Sequence, residues 1–171
     1  MAINFSSTQK KENQFSKNPM PLMCWDVFFD FFDKKSLDAK RNNDLEKILL
    51  FEQQFKWNTD ISKIFSENDY EAIILTDENQ KILWVNDGFK LMTGYDKSFA
   101  LNKTPRFLQG KQTRPATRNR IRNKIQAKKP FEDIITNHRK DSTTYKCEVK
   151  IYPLQTETTT HFIAFEKELR D

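Results

Sequence analysis

Cysteine, histidine and glycine are all scarce in this chain, with two, two and three residues among 171. Cys24 and Cys147 stand far apart and form no CxxC pair, so neither a redox motif nor a structural disulfide is expected in a reducing compartment. With His138 and His161 as the only histidines, a zinc site has almost no ligands to draw on. There is no phosphate loop, no GxSxG elbow and no nucleophile–base set, so an enzyme is not expected. Long apolar runs are missing too. Nothing approaches the length of a membrane span, and no charged-then-apolar leader ends in a small-residue cleavage site. These absences set the expectation of a cytoplasmic chain with no membrane partner. One stretch lacks acid altogether: Lys97 to Lys129 holds 11 Lys or Arg and no Asp or Glu. The remainder carries 18 basic residues against 24 acidic ones. An acidic chain thus bears one basic block, either a solvated helix face or an anion site.

What is present is bulky and periodic. Fifteen phenylalanines supply core material. Residues 1–19 are polar and read as a disordered tail. Residues 20–66 read as a helical extension. Trp25, Phe28, Phe29 and Phe32 recur at helical spacing, with Asp26, Asp30 and Asp33 on the other side. From Ser36 a second stripe follows, at Leu45, Ile48, Leu49 and Phe55, widened by Leu50 and Phe51. Two amphipathic helices are expected, covered by the following domain or by a second copy of the chain. Left exposed, Trp25, Phe28 and Phe32 would form an apolar patch too large for a monomer, so a homodimer through these helices is the expected assembly.

From residue 67 the pattern changes. "EAIILTDENQKILWVND" reads as two short strands around the turn Asp77-Glu78-Asn79-Gln80. Short helical pieces follow, broken at Gly94. A helix starts at Pro115, where proline suits the first turn, and runs to about Lys128. Three strand-like runs close the chain. In the second, Tyr145, Cys147, Val149 and Ile151 alternate with Lys146, Glu148 and Lys150. Two strands, short helices, then three strands imply an α+β domain over 67–171, one antiparallel sheet with helices gathered on one face.

The segments "AIILTDENQKILWVNDGFKLMTGYD", "TPRFLQG", "HRKDSTTYKCEVKIYPL" and "HFIAFEKEL" resemble a PAS domain, over roughly Asn68 to Leu169. The PAS fold is a five-stranded antiparallel sheet with short helices, often enclosing a small-molecule cavity, in sensory and interaction modules. Within that family the chain is most similar to the blue-light-sensing LOV branch. Arg106, Phe107, Leu108, Gln109 and Gly110 match its first motif; Pro115, Ala116, Thr117 and Arg122 match its second. The resemblance implies flavin mononucleotide as cofactor, with Arg106 and Arg122 on the phosphate, Gln109 facing the ribityl chain and Asn137 at the ring's polar edge. Thr76, Cys147 and Glu166 complete the implied set. The chain also departs from the branch. Pro105 replaces the cysteine that attacks the excited flavin, so the standard photoadduct cannot form. Thr104 replaces the neighbouring asparagine, Cys147 a second ring-edge asparagine, and Glu166 the glutamine that reorients. An ionised Glu accepts hydrogen bonds but cannot donate one.

Two functions stay open. The first is a stand-alone PAS signalling module acting by protein–protein interaction on an unidentified signalling partner. The second is a LOV-like flavin photoreceptor or redox sensor working without the cysteine. A third, weaker reading is nucleic-acid binding through the basic helix, which lacks any helix-turn-helix, zinc-finger or RNA-recognition signature. Haem has no histidine to ligate it between residues 104 and 130. Trp84, Tyr95 and Tyr145 are expected as core or sheet-face aromatics, and Cys147 as a small buried hydrophobe.

Overall fold

The computed structural model describes the backbone of residues 23–170 and, Thr159 apart, the side chains of residues 31–170. The tail expected over residues 1–19 lies outside this range, as do the side chains of Trp25, Phe28 and Phe29. The chain forms two units, divided between Lys40 and Arg41. A single helix, α1 (Met23–Phe55), crosses that division. The expected break near Ser36 is absent. No proline or glycine interrupts residues 23–55, and one serine in a helix interior costs only a few tenths of a kcal/mol, about 0.5. In the first unit Phe31, Phe32 and Leu37 are exposed.

A second helix, α2 (Ile61–Glu67), forms where none was expected. Asp60 starts it by accepting a hydrogen bond from the Lys63 N–H at 2.9 Å. Five strands follow: β1 (Ala72–Asp77), β2 (Ile82–Val85), β3 (Phe131–His138), β4 (Thr144–Gln155) and β5 (Thr159–Leu169). They make one antiparallel sheet in the order β2-β1-β5-β4-β3. Between β2 and β3 lie α3 (Asp87–Thr93), α4 (Lys97–Ala100), a single 3-10 turn (Pro105–Leu108) and α5 (Pro115–Gln126). This is the expected α+β architecture. Its punctuation is local. Asn86 caps α3 by accepting from the Phe89 N–H, and Gly94 ends it at φ +75°, a conformation that costs glycine little.

The sheet has a core on each face. On the inner face Ala72, Ile74, Cys147 and Val149 pack against Phe89, Met92, Leu108 and Ile121. On the outer face Ile73, Leu75, Ile163 and Phe165 pack against Ile48, Trp57, Ile61 and Phe65. β1 is therefore buried on both faces, which explains its unbroken apolar run. The stripe expected on α1 lands on the outer core. Ile48 is wholly buried and Leu45, Leu49 and Phe55 pack beside it, whereas Leu50 remains exposed. Polar contacts fix this docking. Arg41 donates to the carbonyls of Asn68 (2.6 Å) and Phe65 (3.2 Å). Asp44 accepts from Asn86 Nδ2 at 2.9 Å, and Trp57 Nε1 donates to His161 Nδ1 at 3.1 Å. No described helix is long and apolar enough to cross a membrane.

Candidate functional site

The inner core is not filled. A cavity of about 340 Å³ lies between the sheet and the segment from the 3-10 turn to α5, within the size range of small-molecule sites. Each wall follows from a period. α5 contributes Arg118, Ile121, Arg122 and Ile125, the i, i+3, i+4, i+7 face of a helix. The sheet contributes alternate residues: Ile74 and Thr76 from β1, Ile135 and Asn137 from β3, Val149 and Ile151 from β4, and Phe162, Ala164 and Glu166 from β5. The 3-10 turn adds Pro105, Arg106 and Leu108, with Gln109 behind them.

Two anchors aim α5. On the side facing β3, Arg120 bonds both oxygens of Asp133 (2.6 and 2.7 Å) and Lys124 adds a third bond at 2.9 Å. The Arg120 guanidinium holds the Asp133 carboxyl down to about 2. At the start of the helix, Thr113 Oγ1 donates to the Thr136 carbonyl at 2.6 Å and accepts from the Gly110 N–H at 3.1 Å. With Arg120 and Lys124 committed to β3, Arg118 and Arg122 are left on the cavity face. Any side chain at Gly110 would have to displace the His138 ring. A Cβ there would lie 2.3 Å from the His138 ring.

The structure brings together six of the seven positions singled out from the sequence: Thr76, Arg106, Gln109, Arg122, Asn137 and Glu166 all line this cavity. The seventh, Cys147, does not. It is wholly buried in the surrounding core, where burial pushes its thiol pKa up. The arginines differ in their commitments. Among the described residues, Arg106 and Arg122 make no side-chain hydrogen bond or ion pair and are solvent-exposed. Arg118 donates one nitrogen to the Gly110 carbonyl, while its Nε is buried with no partner. Sequence reasoning missed Arg118, although its spacing from Ile121, Arg122 and Ile125 marks the face it shares with them. It also missed Gln80, which reaches the cavity from the β1–β2 turn.

Glu166 is another cavity-lining residue with an unpartnered buried atom. It is 5% exposed and its Oε2 has no partner. Burial pushes its acid up to about 7, against a smaller opposing pull from the Cys147 thiol. The cavity therefore combines three guanidiniums, an amide at Asn137, one buried acid and apolar side walls. Pro105 sits in the wall where the sequence resemblance places a reactive cysteine, and it offers no nucleophile. The two histidines lie elsewhere: His138 against Gly110, and His161 on the outer face against Phe55 and Trp57. No cluster of three or more metal-ligating side chains occurs among the described residues.

The PAS domain family matches residues 71–171. A blue-light photoreceptor of Listeria monocytogenes is 35% identical over 102 residues, covering 57% of this chain and 40% of that protein. Among solved structures, the LOV domain of a blue-light activated histidine kinase from Erythrobacter litoralis superposes with a TM-score of 0.56 at 25% identity. It covers 61% of this chain and 100% of that one. The light-state structure of the blue-light photoreceptor Aureochrome1 LOV gives 0.57 at 25% identity, covering 60% and 84%. The chain thus spans well under two thirds of the length of the Listeria photoreceptor it matches. With a matched family domain over most of the chain, and blue-light receptors as its relatives in both sequence and structure, the chain belongs to the PAS family, in its LOV-like branch.

Proposed function

We propose that this chain is a LOV-type sensory module that takes flavin mononucleotide into its inner cavity. It works without a cysteine adduct and without catalysis of its own, and passes its signal on by protein–protein association. One observation carries this: a single cavity joins the unbonded guanidiniums of Arg106 and Arg122 to the amide of Asn137 and the acid of Glu166. Two free guanidinium forks from separate elements suit a phosphate. Gln109 would face the ribityl chain. Thr76, Asn137 and Glu166 would meet the polar edge of the ring, with Ile74, Ile121 and Val149 against its faces. The residues present fit such a group, because two buried unpartnered atoms belong to the cavity lining, Arg118 Nε and Glu166 Oε2, and both lack the partner that a polar ligand would bring. Bound flavin would supply blue-light absorption and electron acceptance. The chain's own residues would orient it, exclude water and place one acid beside it.

The test is the visible spectrum of protein purified with flavin available. A structured blue band released as free flavin mononucleotide on denaturation is expected. Replacing Arg106→Ala together with Arg122→Ala should weaken binding by tenfold or more, since each charge-assisted bond is worth about 1.5–3 kcal/mol. A protein that stays colourless after incubation with flavin, or a double variant that keeps full occupancy, would overturn the assignment.

The helical unit before Arg41 supports a second element of the proposal, a homodimer. Phe31 is 62% exposed and Leu37 51%, a surface suited to a second copy or a signalling partner. Nucleic acid is less favoured. Of the basic block, Arg120 and Lys124 are spent on Asp133, and Arg106, Arg118 and Arg122 face the cavity.

A further inference from the structure

Among the groups the cavity presents, Glu166 is a buried acid with an unpartnered oxygen. It lies on the inner face of β5 with Phe162 and Ala164, opposite Ala72 of β1 and Val149 of β4. Its backbone is fixed, the carbonyl accepting from the Glu71 N–H at 2.9 Å. Its side chain is buried in the cavity wall with Oε2 unbonded. The ionisable groups around it are few. On β5 itself Glu168 is paired with Arg139 at 2.5 Å. At the head of β1 Glu71 is paired with Arg170 at 2.9 Å. β4 presents the Cys147 thiol and the Tyr145 phenol. β3 presents Asn137, which does not titrate. From the 3-10 turn and α5 come Arg106, Arg118 and Arg122. Among these groups the Cys147 thiol draws Glu166 towards the carboxylate, and burial outweighs that pull. None of the three arginines neutralises this acid.

We propose that Glu166 recognises the ligand as a neutral acid, so that the cavity takes a molecule with an anionic tail and an uncharged amide edge, and releases it as the acid ionises. The proposal rests on the flavin reading above. A protonated carboxyl offers one O–H donor and one carbonyl acceptor, the complement of an amide edge that offers a carbonyl and an N–H. A carboxylate lacks the donor. It would set its lone pairs against the ligand carbonyl, and sealing it under a ligand would bury an unpaired charge. The arginine end is indifferent to this change, because guanidinium stays charged throughout. Tail and head are thus read by different rules, and only the head depends on pH.

The sign is fixed by the direction of the titration. The binding-competent form is the protonated one, abundant below about 7 and depleted above it. Apparent affinity scales with the competent fraction, so the dissociation constant should rise about tenfold from pH 6 to pH 8. The full chain, stripped of flavin, is titrated with flavin mononucleotide at both pH values by quenching of flavin fluorescence. The expected result is a rise for the wild type about tenfold larger than whatever change Glu166→Gln shows, because its amide donates at every pH. Ionisation of the phosphate affects both proteins alike and cancels in the comparison. An equal response in both proteins would overturn the role of Glu166 while leaving the flavin reading intact. No binding at either pH would overturn both. If Glu166→Gln does not fold, the wild type is titrated with riboflavin, which has the same amide edge and no phosphate: the rise from pH 6 to pH 8 should remain, and its loss would refute the proposal.

Discussion

Two buried carboxylates in this protein respond to pH in opposite senses. Glu166 has no cation to offset its burial, so folding favours its neutral form, and its contribution to stability is lost as pH rises from about 4.5 towards 7. Asp133 is held by Arg120 and Lys124, and folding favours its ionised form. Its contribution is complete above the ordinary aspartate value of 3.8 and is lost as pH falls towards about 2. Asp133→Asn should therefore cost about 1–2 kcal/mol at pH 6, its partners being half in solvent. In urea titrations the gap from wild type should narrow at pH 2.5; a constant gap would contradict the pairing. At this scale the sequence was unevenly legible. Glu166 could be placed on a face by its alternation with Phe162 and Ala164, but nothing in the chain showed how few cations would reach it. Arg118 escaped notice because it carries no motif of its own, and only the helix period betrays it. Cys147 shares the inward face with Val149 but lies in filled core, and strand alternation does not tell a cavity wall from a packed one.

Among the elements, α1 supplies the outer core from its part after Arg41. Ile48 is wholly buried on the outer face of the sheet, and Leu50, two residues on, is 58% exposed. Ile48→Ala should cost about 2–4 kcal/mol, by lost burial and the cavity left behind. Leu50→Ala should stay within about 0.5 kcal/mol. Equal costs in chemical denaturation would contradict the docking of α1. The stripe at Leu45, Ile48, Leu49 and Phe55 was readable from its spacing, and so were the strands: β4 by its alternation, β1 and β2 by short apolar runs around a polar turn. The join between the expected helices was misread. The apolar stripe fades between Lys34 and Lys40 while helix propensity does not, and a helix needs propensity to continue but a stripe only to dock. α2 was missed for a related reason: seven residues hold too few turns to show a period.

For the whole molecule, the boundary between Lys40 and Arg41 decides where a truncation can be made. Residues 41–66 supply Ile48, Trp57, Ile61 and Phe65 to the outer core, so a cut at the start of the PAS match would strip one face of the sheet. Removal of residues 1–40 alone should leave a folded protein and, if those residues form the dimer, reduce its mass in light scattering from that of two chains to one. A dimer that survives the deletion would place the interface elsewhere. Pro105 has a wider consequence. A receptor that stores its signal in a carbon–sulfur bond carries a clock, because the bond must break before the dark state returns. With a ring of methylenes at that position, there is no bond to time the recovery. On the flavin reading, recovery would be timed instead by the return of electrons and protons around the ligand.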